Sequence, residues 1–245
     1  MRETYPDTSK IHHSRLPPGS RVYAIGDVHG RVDLLQEVFS KIERHRIAYP
    51  IANAIEVLLG DYVDRGPSSF EVIELLSSRV HNGTICLKGN HESFLLEFLH
   101  DPRVLTHWQH VGGLETLTSY GLEPTPKCSA KVQEKLAAEL ARRLPAHHHD
   151  FLVSLSLCYE LGDYFFVHAG VRPGVDLSRQ NPEDLLWIRN DFLSYEGGFG
   201  KVVVHGHTPV SEPEIHDNRI NLDTGAFASG NLTCAVFEDD RIEFL

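Results

Sequence analysis

The 245-residue sequence predicts an α/β fold, because short apolar runs alternate with amphipathic helical segments along much of the chain. Four runs rich in Val, Ile or Phe each end at a motif that combines Gly with Asp or His; they are VYAI, IEVLL, YFFV and KVVV. A fifth motif follows TICLK. Apolar runs that end at a glycine-containing loop are typical of buried strands followed by tight turns. The sequence therefore indicates five strands that deliver polar side chains into loops.

Helical segments follow the first three motifs. The spacing of apolar residues predicts helices over residues 31–46, 68–79 and 91–100. After Tyr159 the pattern changes to strands, in YFFVHAG, KVVVHGH, RINLDTG, LTCAVFE and RIEFL. The repeated order of strand, polar loop and helix favours the α/β class over an all-helical or all-strand fold.

The chain is predicted to form one domain over residues 21–245, preceded by a flexible, polar N-terminal arm at residues 1–20. Residues 101–150 interrupt the strand pattern and are expected to form a helical insertion that packs over one side of the site. Residues 131–144 give its clearest helical pattern.

Composition excludes several classes of partner. The net charge of −11 argues against nucleic acid, since that binding depends on clustered Lys and Arg. No apolar run approaches the ~20 residues of a membrane helix, and the N-terminus lacks a signal-peptide core. The four cysteines show no CxxC spacing, which suits a reducing compartment. A cytoplasmic protein without nucleic-acid or membrane partners is therefore expected.

The motif loops carry the ligands of a divalent metal centre, namely carboxylate, imidazole and amide oxygen. The predicted metal ligands are Asp27, His29, Asp61, Asn90, His168 and His207. Two ions ~3.5–4 Å apart can clamp a phosphate and activate a water for in-line displacement. Asp61 suits a bridging position, and Asp27 and His29, two residues apart on an extended exit from a strand, suit one shared ion. Manganese is the expected metal, although the same ligands accept iron, zinc or cobalt.

Four further polar residues suit roles in catalysis. His91 and Asp64 are predicted to form an imidazole–carboxylate pair that acts as a general acid–base. Arg65 and Arg189 are expected to bind the substrate phosphate in bidentate fashion, and Asn90 is expected to assist them.

These motifs resemble a known family. GDVHG, GDYVDRG, GNHE, HAG and GHTP are similar, in the same order over residues 21–245, to those of the phosphoprotein phosphatase family of the metallophosphoesterase superfamily. The SAPNY-type segment of eukaryotic members is absent, so the chain looks like the short bacterial and phage enzymes, and no regulatory subunit is expected. The resemblance implies a calcineurin-like fold, a β-sandwich of two mixed sheets flanked by helices. It also implies that Asp61 bridges the metals and that His91, paired with Asp64, is the general acid.

The expected function is hydrolysis of phosphoserine or phosphothreonine in a phosphoprotein or phosphopeptide, by direct attack of a metal-bridging water; phosphotyrosine is a further candidate. The alternative is a diadenosine polyphosphate hydrolase, a neighbouring branch that tends to show GNHD and to replace the VDRG aspartate. Glu92 and Asp64 favour the protein phosphatase. A third alternative, a non-catalytic phosphoprotein-binding module, is disfavoured by the intact set of ligands.

Other polar and aromatic residues are expected to be structural. His205 alternates with His207 and is assigned to the interior, and Asp223 is assigned to a turn or to support of the site. Residues 147–149, three consecutive histidines, are expected to begin a helix in solvent. Trp108 and Trp187 are expected to pack rather than to bind a ligand.

Overall fold

Two five-stranded mixed sheets form the centre of the fold in the computed structural model, which describes residues 14–245. The strands are β1 (Ser20–Ile25), β2 (Asn53–Leu58), β3 (Ile85–Cys86), β4 (Cys158–Leu161), β5 (Tyr164–Val167), β6 (Val202–His205), β7 (Glu214–Ile215), β8 (Arg219–Asn221), β9 (Cys234–Glu238) and β10 (Arg241–Phe244). The first sheet has the order β10-β9-β1-β2-β3, and the second has the order β4-β5-β6-β8-β7. In the first sheet β1, β2 and β3 run parallel, and in the second sheet β5, β6 and β8 run parallel.

Helices cover the outer faces of the sheets. They are α1 (Val32–Ala48), α2 (Ser69–Arg79), α3 (Asn90–Phe98), α4 (Leu105–Trp108), α5 (Gly113–Ser119), α6 (Ala130–Arg143), α7 (Ala146–Ser154), α8 (Pro182–Trp187), α9 (Asn190–Leu193) and α10 (Ala226–Ser229). Short 3₁₀ turns lie at Val80–Asn82, Pro102–Val104 and Leu177–Arg179. Within the described chain, none of the helices has the length and apolar character needed to cross a membrane.

Alternation along the buried strands explains the layered core. In β1, Val22 and Ala24 belong to the apolar cluster between the two sheets, together with Phe237 of β9 and Phe166 of β5 in the second sheet. Tyr23 of the same strand faces the helices instead. Successive strand residues point to opposite faces, so a strand that is apolar throughout can bury both faces. Full burial of one large apolar side chain contributes about 1.5–3 kcal/mol, which makes these layers the main source of stability.

The sandwich of two mixed sheets flanked by helices confirms the predicted fold class. The five strands expected before the motifs are present, although β3 is only two residues long. The edge strands β4 and β7 were not predicted. Each pairs on one side only and is incompletely buried, so its sequence lacks the apolar signal of a central strand.

The predicted N-terminal arm lies mostly at residues 1–13, outside the described residues. Its last part runs against the domain: Leu16 is buried, and its backbone N–H donates to the carbonyl of Asp239 at 3.0 Å. The carbonyl of Ser14 accepts a hydrogen bond from the Tyr164 hydroxyl.

The segment at residues 101–150 is helical, and the helix predicted at residues 131–144 corresponds to α6 (Ala130–Arg143). The expectation that residues 147–149 begin a helix in solvent is wrong for His148, which is fully buried. Its ring packs against Phe70, with centroids 4.8 Å apart, and its Nδ1 lies 2.9 Å from the Tyr120 hydroxyl. A run of three identical residues hides this difference, because only the helix phase decides which of them faces the core.

Candidate metal centre

The carboxyl ends of the parallel strands of both sheets meet at one edge of the sandwich. The loop after β1 is joined to the loop after β2, because the His29 N–H donates to the Asp61 carbonyl at 2.8 Å. The loop after β6 is joined to the loop after β5 through a bond from the Gly206 N–H to the His168 carbonyl, also 2.8 Å. Glycine permits the closest approach: a Cβ at Gly66 would overlap the His29 carbonyl.

Several residues in these loops have a left-handed backbone conformation, with positive φ. Five of the seven non-glycine residues with positive φ in the described chain lie here: His29, Asp61, Asp64, Arg65 and His207, with φ between 45° and 75°. Such conformations cost about 1–3 kcal/mol each and cluster at functional sites. The chain therefore turns at His29, instead of leaving β1 in the extended conformation that the sequence suggested.

One group of ligand-type side chains combines His29, Asp61 and His91. Asp61 Oδ2 lies 3.6 Å from His29 Nε2 and 3.7 Å from His91 Nε2. His29 Nδ1 donates to the Val63 carbonyl at 2.9 Å, which leaves the lone pair of Nε2 directed at Asp61.

A second group shares Asp61 and adds His168, His207 and Asn90. His168 Nε2 lies 3.3 Å from Asp61 Oδ1, 3.1 Å from His207 Nδ1 and 2.9 Å from Asn90 Oδ1. His168 Nδ1 donates to the Leu59 carbonyl at 3.0 Å. Asp61 thus stands between two clusters, with one carboxylate oxygen toward each.

Asp27 completes the set from the side of His207. Its carboxylate accepts the His207 N–H at 3.1 Å. Burial, followed by the charges of Asp223 and Asp61, raises the pKa of Asp27 well above its ordinary value. The Asp223 carboxylate is itself buried, and its Oδ2 has no hydrogen-bond partner among residues 14–245. Carboxylates that are buried close to one another need a positive charge nearby in order to stay ionised.

The donor set suits divalent cations. Within the described part of the chain, Nε2 of His29 has no hydrogen-bond partner, although it is buried. Burial lowers the pKa of His29 to about 3 and that of His207 to about 2, so both imidazoles are neutral near pH 7. Neutral imidazole and ionised carboxylate are the forms that bind metal. The two groups around Asp61 can therefore hold metal ions.

Asp64 and His91 lie beside these groups as a buried pair. His91 Nδ1 donates to Asp64 Oδ2 at 2.6 Å. The same carboxylate accepts from the indole N–H of Trp108 at 2.6 Å and from the Thr116 hydroxyl. The segment at residues 101–150 thus reaches the site through α4 and α5. Sequence reasoning missed both donors, since neither belongs to one of the five strand-end motifs and Trp108 was assigned to packing alone.

Glu92 is a second residue whose role was missed. Its fully buried carboxylate accepts backbone N–H groups of Asp61 at 3.0 Å, Tyr62 at 2.7 Å and Gly89 at 2.9 Å. Burial, followed by the charge of Asp61, raises the pKa of Glu92 to about 7. Glu at the third position of a helix is a capping-box signal, and GNHE at the start of α3 carries it.

The two predicted phosphate-binding arginines differ in position. Arg65 is partly buried, with one guanidinium nitrogen 3.3 Å from His91 Nε2. Arg189 is exposed at the rim between α8 and α9, where its charge is one of the influences that lower the pKa of His207, after burial and His168. The structure places Arg65 beside the ligand groups and Arg189 at the edge.

Two exposed aromatic rings flank the centre. Trp187, 41% exposed, lies with its ring 6.1 Å from that of His207. Phe227, 37% exposed, lies 5.6 Å from the ring of His29, and the Arg65 guanidinium sits 4.8 Å above it. A groove of about 460 Å³ beside Trp187 is also lined by Arg189. His205, in contrast, is buried edge-on against Phe192, with centroids 4.9 Å apart.

A model of the calcineurin-like phosphoesterase family matches residues 20–238. The chain belongs to this family. An enzyme of Halalkalibacterium halodurans named bis(5'-nucleosyl)-tetraphosphatase PrpE (asymmetrical) is 31% identical over 246 residues, which cover 90% of this chain and 91% of that protein. A relative of the same name in Bacillus subtilis is 29% identical and covers 85% and 87% of the two chains.

The fold is also that of solved structures. A candidate diadenosine tetraphosphatase superposes with a TM-score of 0.61 at 20% identity, covering 95% of this chain and 98% of that one. A cold-active protein tyrosine phosphatase superposes with a TM-score of 0.55 at 17% identity, covering 99% and 84%. At such identities these likenesses show the fold alone.

The curated relatives contradict the expected protein phosphatase and its phosphoprotein partner, and they favour the dinucleotide alternative. The reason for the error is visible in the structure. Asp64 and Glu92, which were taken to indicate a protein phosphatase, are both 0% exposed. Asp64 holds His91 and Glu92 holds loop backbone, so neither meets the part of a substrate that lies beyond the reacting phosphate. The motifs report the phosphoryl chemistry and not the leaving group.

Proposed function

We propose that this chain hydrolyses bis(5'-nucleosyl) tetraphosphates asymmetrically. Water adds to the phosphorus next to one nucleoside, the P–O bond toward the second phosphate breaks, and a nucleoside monophosphate and a nucleoside triphosphate are released. The observation that carries the proposal is the 31% identity, across nine-tenths of both chains, with an asymmetrical tetraphosphatase. The candidate metal centre supports the proposal. It has the buried Asp64–His91 pair beside the candidate metal ligands, and arginine and aromatic side chains lie at its rim.

Two ions in the groups around Asp61 would polarise the phosphate and activate water as Lewis acids. Asp27, His29 and Asp61 are proposed to hold one ion, with His91 beside them as the proton donor and not as a ligand. The second is proposed to be held by Asp61, Asn90, His168 and His207. Manganese is the ion we expect, while iron, zinc and cobalt are compatible with the same imidazole and oxygen ligands.

His91 is the proposed proton donor to the leaving phosphate oxygen. His91 Nδ1–H donates a hydrogen bond to Asp64, and the other ring nitrogen, Nε2, faces the Asp61 side of the centre. Burial lowers the pKa of His91, but the charge of Asp61 and the hydrogen bond and charge of Asp64 raise it more, so the net pKa lies above 6.5. An imidazole held in this way is oriented for proton transfer.

Arg65 and Arg189 are proposed to bind phosphate oxygens on either side of the reacting phosphorus, with Asn90 contributing its amide. A tetraphosphate extends beyond the metal ions, so a second cationic side chain at the rim can bind the phosphate oxygens that the ions do not reach. The groove beside Trp187 and Arg189 offers room for the leaving triphosphate or its nucleoside. This local arrangement accommodates an anionic substrate in spite of the net charge of −11.

The test is product analysis with manganese-loaded protein and diadenosine tetraphosphate. Ion-exchange chromatography should show ATP and AMP in equal amounts. The kcat/KM for a phosphoserine peptide should be at least tenfold lower, about 1.4 kcal/mol of transition-state free energy. ADP as the product would contradict asymmetrical cleavage, and a higher kcat/KM for the peptide would restore the protein phosphatase.

A further inference from the structure

A further group of ligand-type side chains lies between α2 and α7. Glu74 belongs to α2, and His147 and His148 begin α7. The Nε2 atoms of both histidines lie 2.8 Å from the same carboxylate oxygen of Glu74. No motif or family feature discussed above involves these residues.

The surroundings of His148 resemble a built site rather than a chance surface contact. Its side chain is fully buried, and its Nδ1 lies 2.9 Å from the Tyr120 hydroxyl. A metal-binding imidazole commonly donates its other N–H to a fixed oxygen, which sets the tautomer and directs the lone pair at the metal. If Nδ1–H donates to Tyr120, the Nε2 lone pair of His148 points at Glu74, an arrangement that a cation between them would stabilise.

The spacing matches that of the candidate metal centre in the same protein. There, His168 Nε2 lies 2.9–3.3 Å from Asn90, His207 and Asp61. In the α2–α7 group, the three ligand atoms all lie within 4.8 Å of one another. Bond lengths of about 2.0–2.2 Å in a tetrahedral zinc site imply ligand separations of roughly 3.4 Å. Rotation of the exposed Glu74 and His147 side chains can supply the small increase.

We propose that Glu74, His147 and His148 bind one divalent transition-metal ion, with zinc the best match, which joins α2 to α7. Two imidazoles and one carboxylate form a ligand set that zinc accepts in tetrahedral geometry. The fourth position opens toward a groove of about 540 Å³, which is also lined by His81 and Asp150. Water or one of these two side chains can complete the coordination.

Such an ion would be structural. α2 directly follows the loop that holds Asp61 and Asp64, and α7 closes the segment that supplies Trp108 and Thr116. A bond between α2 and α7 therefore ties the inserted helices to the core next to the catalytic loop. A metal that binds only the folded state adds to its stability by mass action.

The test compares zinc content and thermal stability of four forms: the parent, Glu74→Gln, His147→Ala and His149→Ala. His149 is the matched control, because it is the third histidine of the run and does not belong to the ligand group. After chelation and dialysis against zinc, Glu74→Gln and His147→Ala should each bind one equivalent fewer than the parent. His149→Ala should match the parent, and all four should hydrolyse the same dinucleotide.

Thermal shift gives the second measurement. Zinc should raise the Tm of the parent and of His149→Ala by several degrees more than that of the two ligand variants. Equal zinc content in all four forms would overturn the proposal. So would a Tm of Glu74→Gln that is lowered equally with and without zinc, because the three residues would then form an ion pair only.

Discussion

At the residue scale, the carboxylate of Asp64 is held by donors from three separate parts of the chain. They are Nδ1 of His91, the indole of Trp108 and the hydroxyl of Thr116. All four residues are buried. A carboxylate so enclosed can hold the imidazole ring in one orientation, and its own burial keeps it out of contact with solvent.

Thr116→Val tests this arrangement with a change that keeps the shape of the side chain. It removes the donor to Asp64 Oδ1, and hydrogen bonds to charged groups contribute about 1.5–3 kcal/mol. Part of that loss should appear in the orientation of His91, so kcat for the dinucleotide should fall roughly tenfold. Metal content should stay at the parent level.

Thr118→Val is the control, since Thr118 lies on the same helix and donates to the Leu114 carbonyl instead. It should leave kcat unchanged. Steady-state kinetics and metal analysis of both variants provide the measurement. An equal loss of kcat in the two variants would assign the effect to α5 as a whole.

His205 is expected to make the free energy of unfolding depend on pH. Burial lowers the pKa of this side chain to about 3, while an exposed histidine in the unfolded chain titrates near 6.5. As pH falls below 6.5, the unfolded state binds a proton that the folded state does not, and stability is lost until about pH 3. Between pH 7 and pH 5 this amounts to about 2 kcal/mol.

Between pH 7 and pH 5, the free energy of unfolding of His205→Phe should therefore fall by about 2 kcal/mol less than that of the parent. The check is urea unfolding of both metal-free proteins at the two pH values. The absolute stability of the variant does not matter, because the comparison uses only the change with pH. An identical change in the parent and the variant would show that His205 is protonated in the folded protein.

At the element scale, prediction from sequence succeeded where a local pattern and its environment agree. β1, β5 and β6 are buried throughout, as are residues 56–58 of β2, and each strand ends at a motif, so pattern and packing coincide. The short helices α8 and α10 carry no period long enough to detect, yet they place Trp187 and Phe227 at the site. Trp108 and Thr116 were missed for a related reason: only the tertiary fold brings them to Asp64.

The aromatic rings on α8 and α10 are expected to stack on the nucleobases of the substrate. Stacking of a base on an aromatic side chain contributes about 1–3 kcal/mol. Trp187→Ala or Phe227→Ala should therefore lower kcat/KM for diadenosine tetraphosphate by roughly 5- to 150-fold. Tripolyphosphate has the anionic chain without a base, so its Ki as an inhibitor should be the same for these variants as for the parent.

Tyr195→Ala is the matched control, because Tyr195 is also 37% exposed but packs against Phe199. Its kcat/KM should equal that of the parent. If tripolyphosphate binding weakens together with kcat/KM in the Trp187 or Phe227 variants, the rings support the arginines and the centre instead of binding a base.

At the scale of the whole molecule, the proposed ligands of the metal centre come from both sheets. Asp27, His29 and Asp61 follow strands of the first sheet, whereas His168 and His207 follow strands of the second. Ions held by both sets would join the two halves of the sandwich at its open edge. This link is invisible in a linear sequence, since its two sides are more than a hundred residues apart.

Metal removal should therefore lower global stability. An ion present at a hundred times its Kd stabilises the folded state by about 2.7 kcal/mol. For a domain of this size, Tm should rise by about 5–11 °C when manganese is added to chelated protein. His168→Ala removes a ligand supplied by the second sheet, so it should show a clearly smaller rise at the same manganese concentration.

Arg189→Ala supplies the control, because Arg189 is exposed at the rim and is assigned to phosphate and not to metal. Its Tm should rise with manganese as far as that of the parent, even though its KM for the dinucleotide increases. The measurement is a thermal melt of each protein in chelator and in manganese. A full rise of Tm in His168→Ala would mean that the ion is held by the first sheet alone. The second sheet would then serve the site only as a scaffold for Trp187 and Arg189.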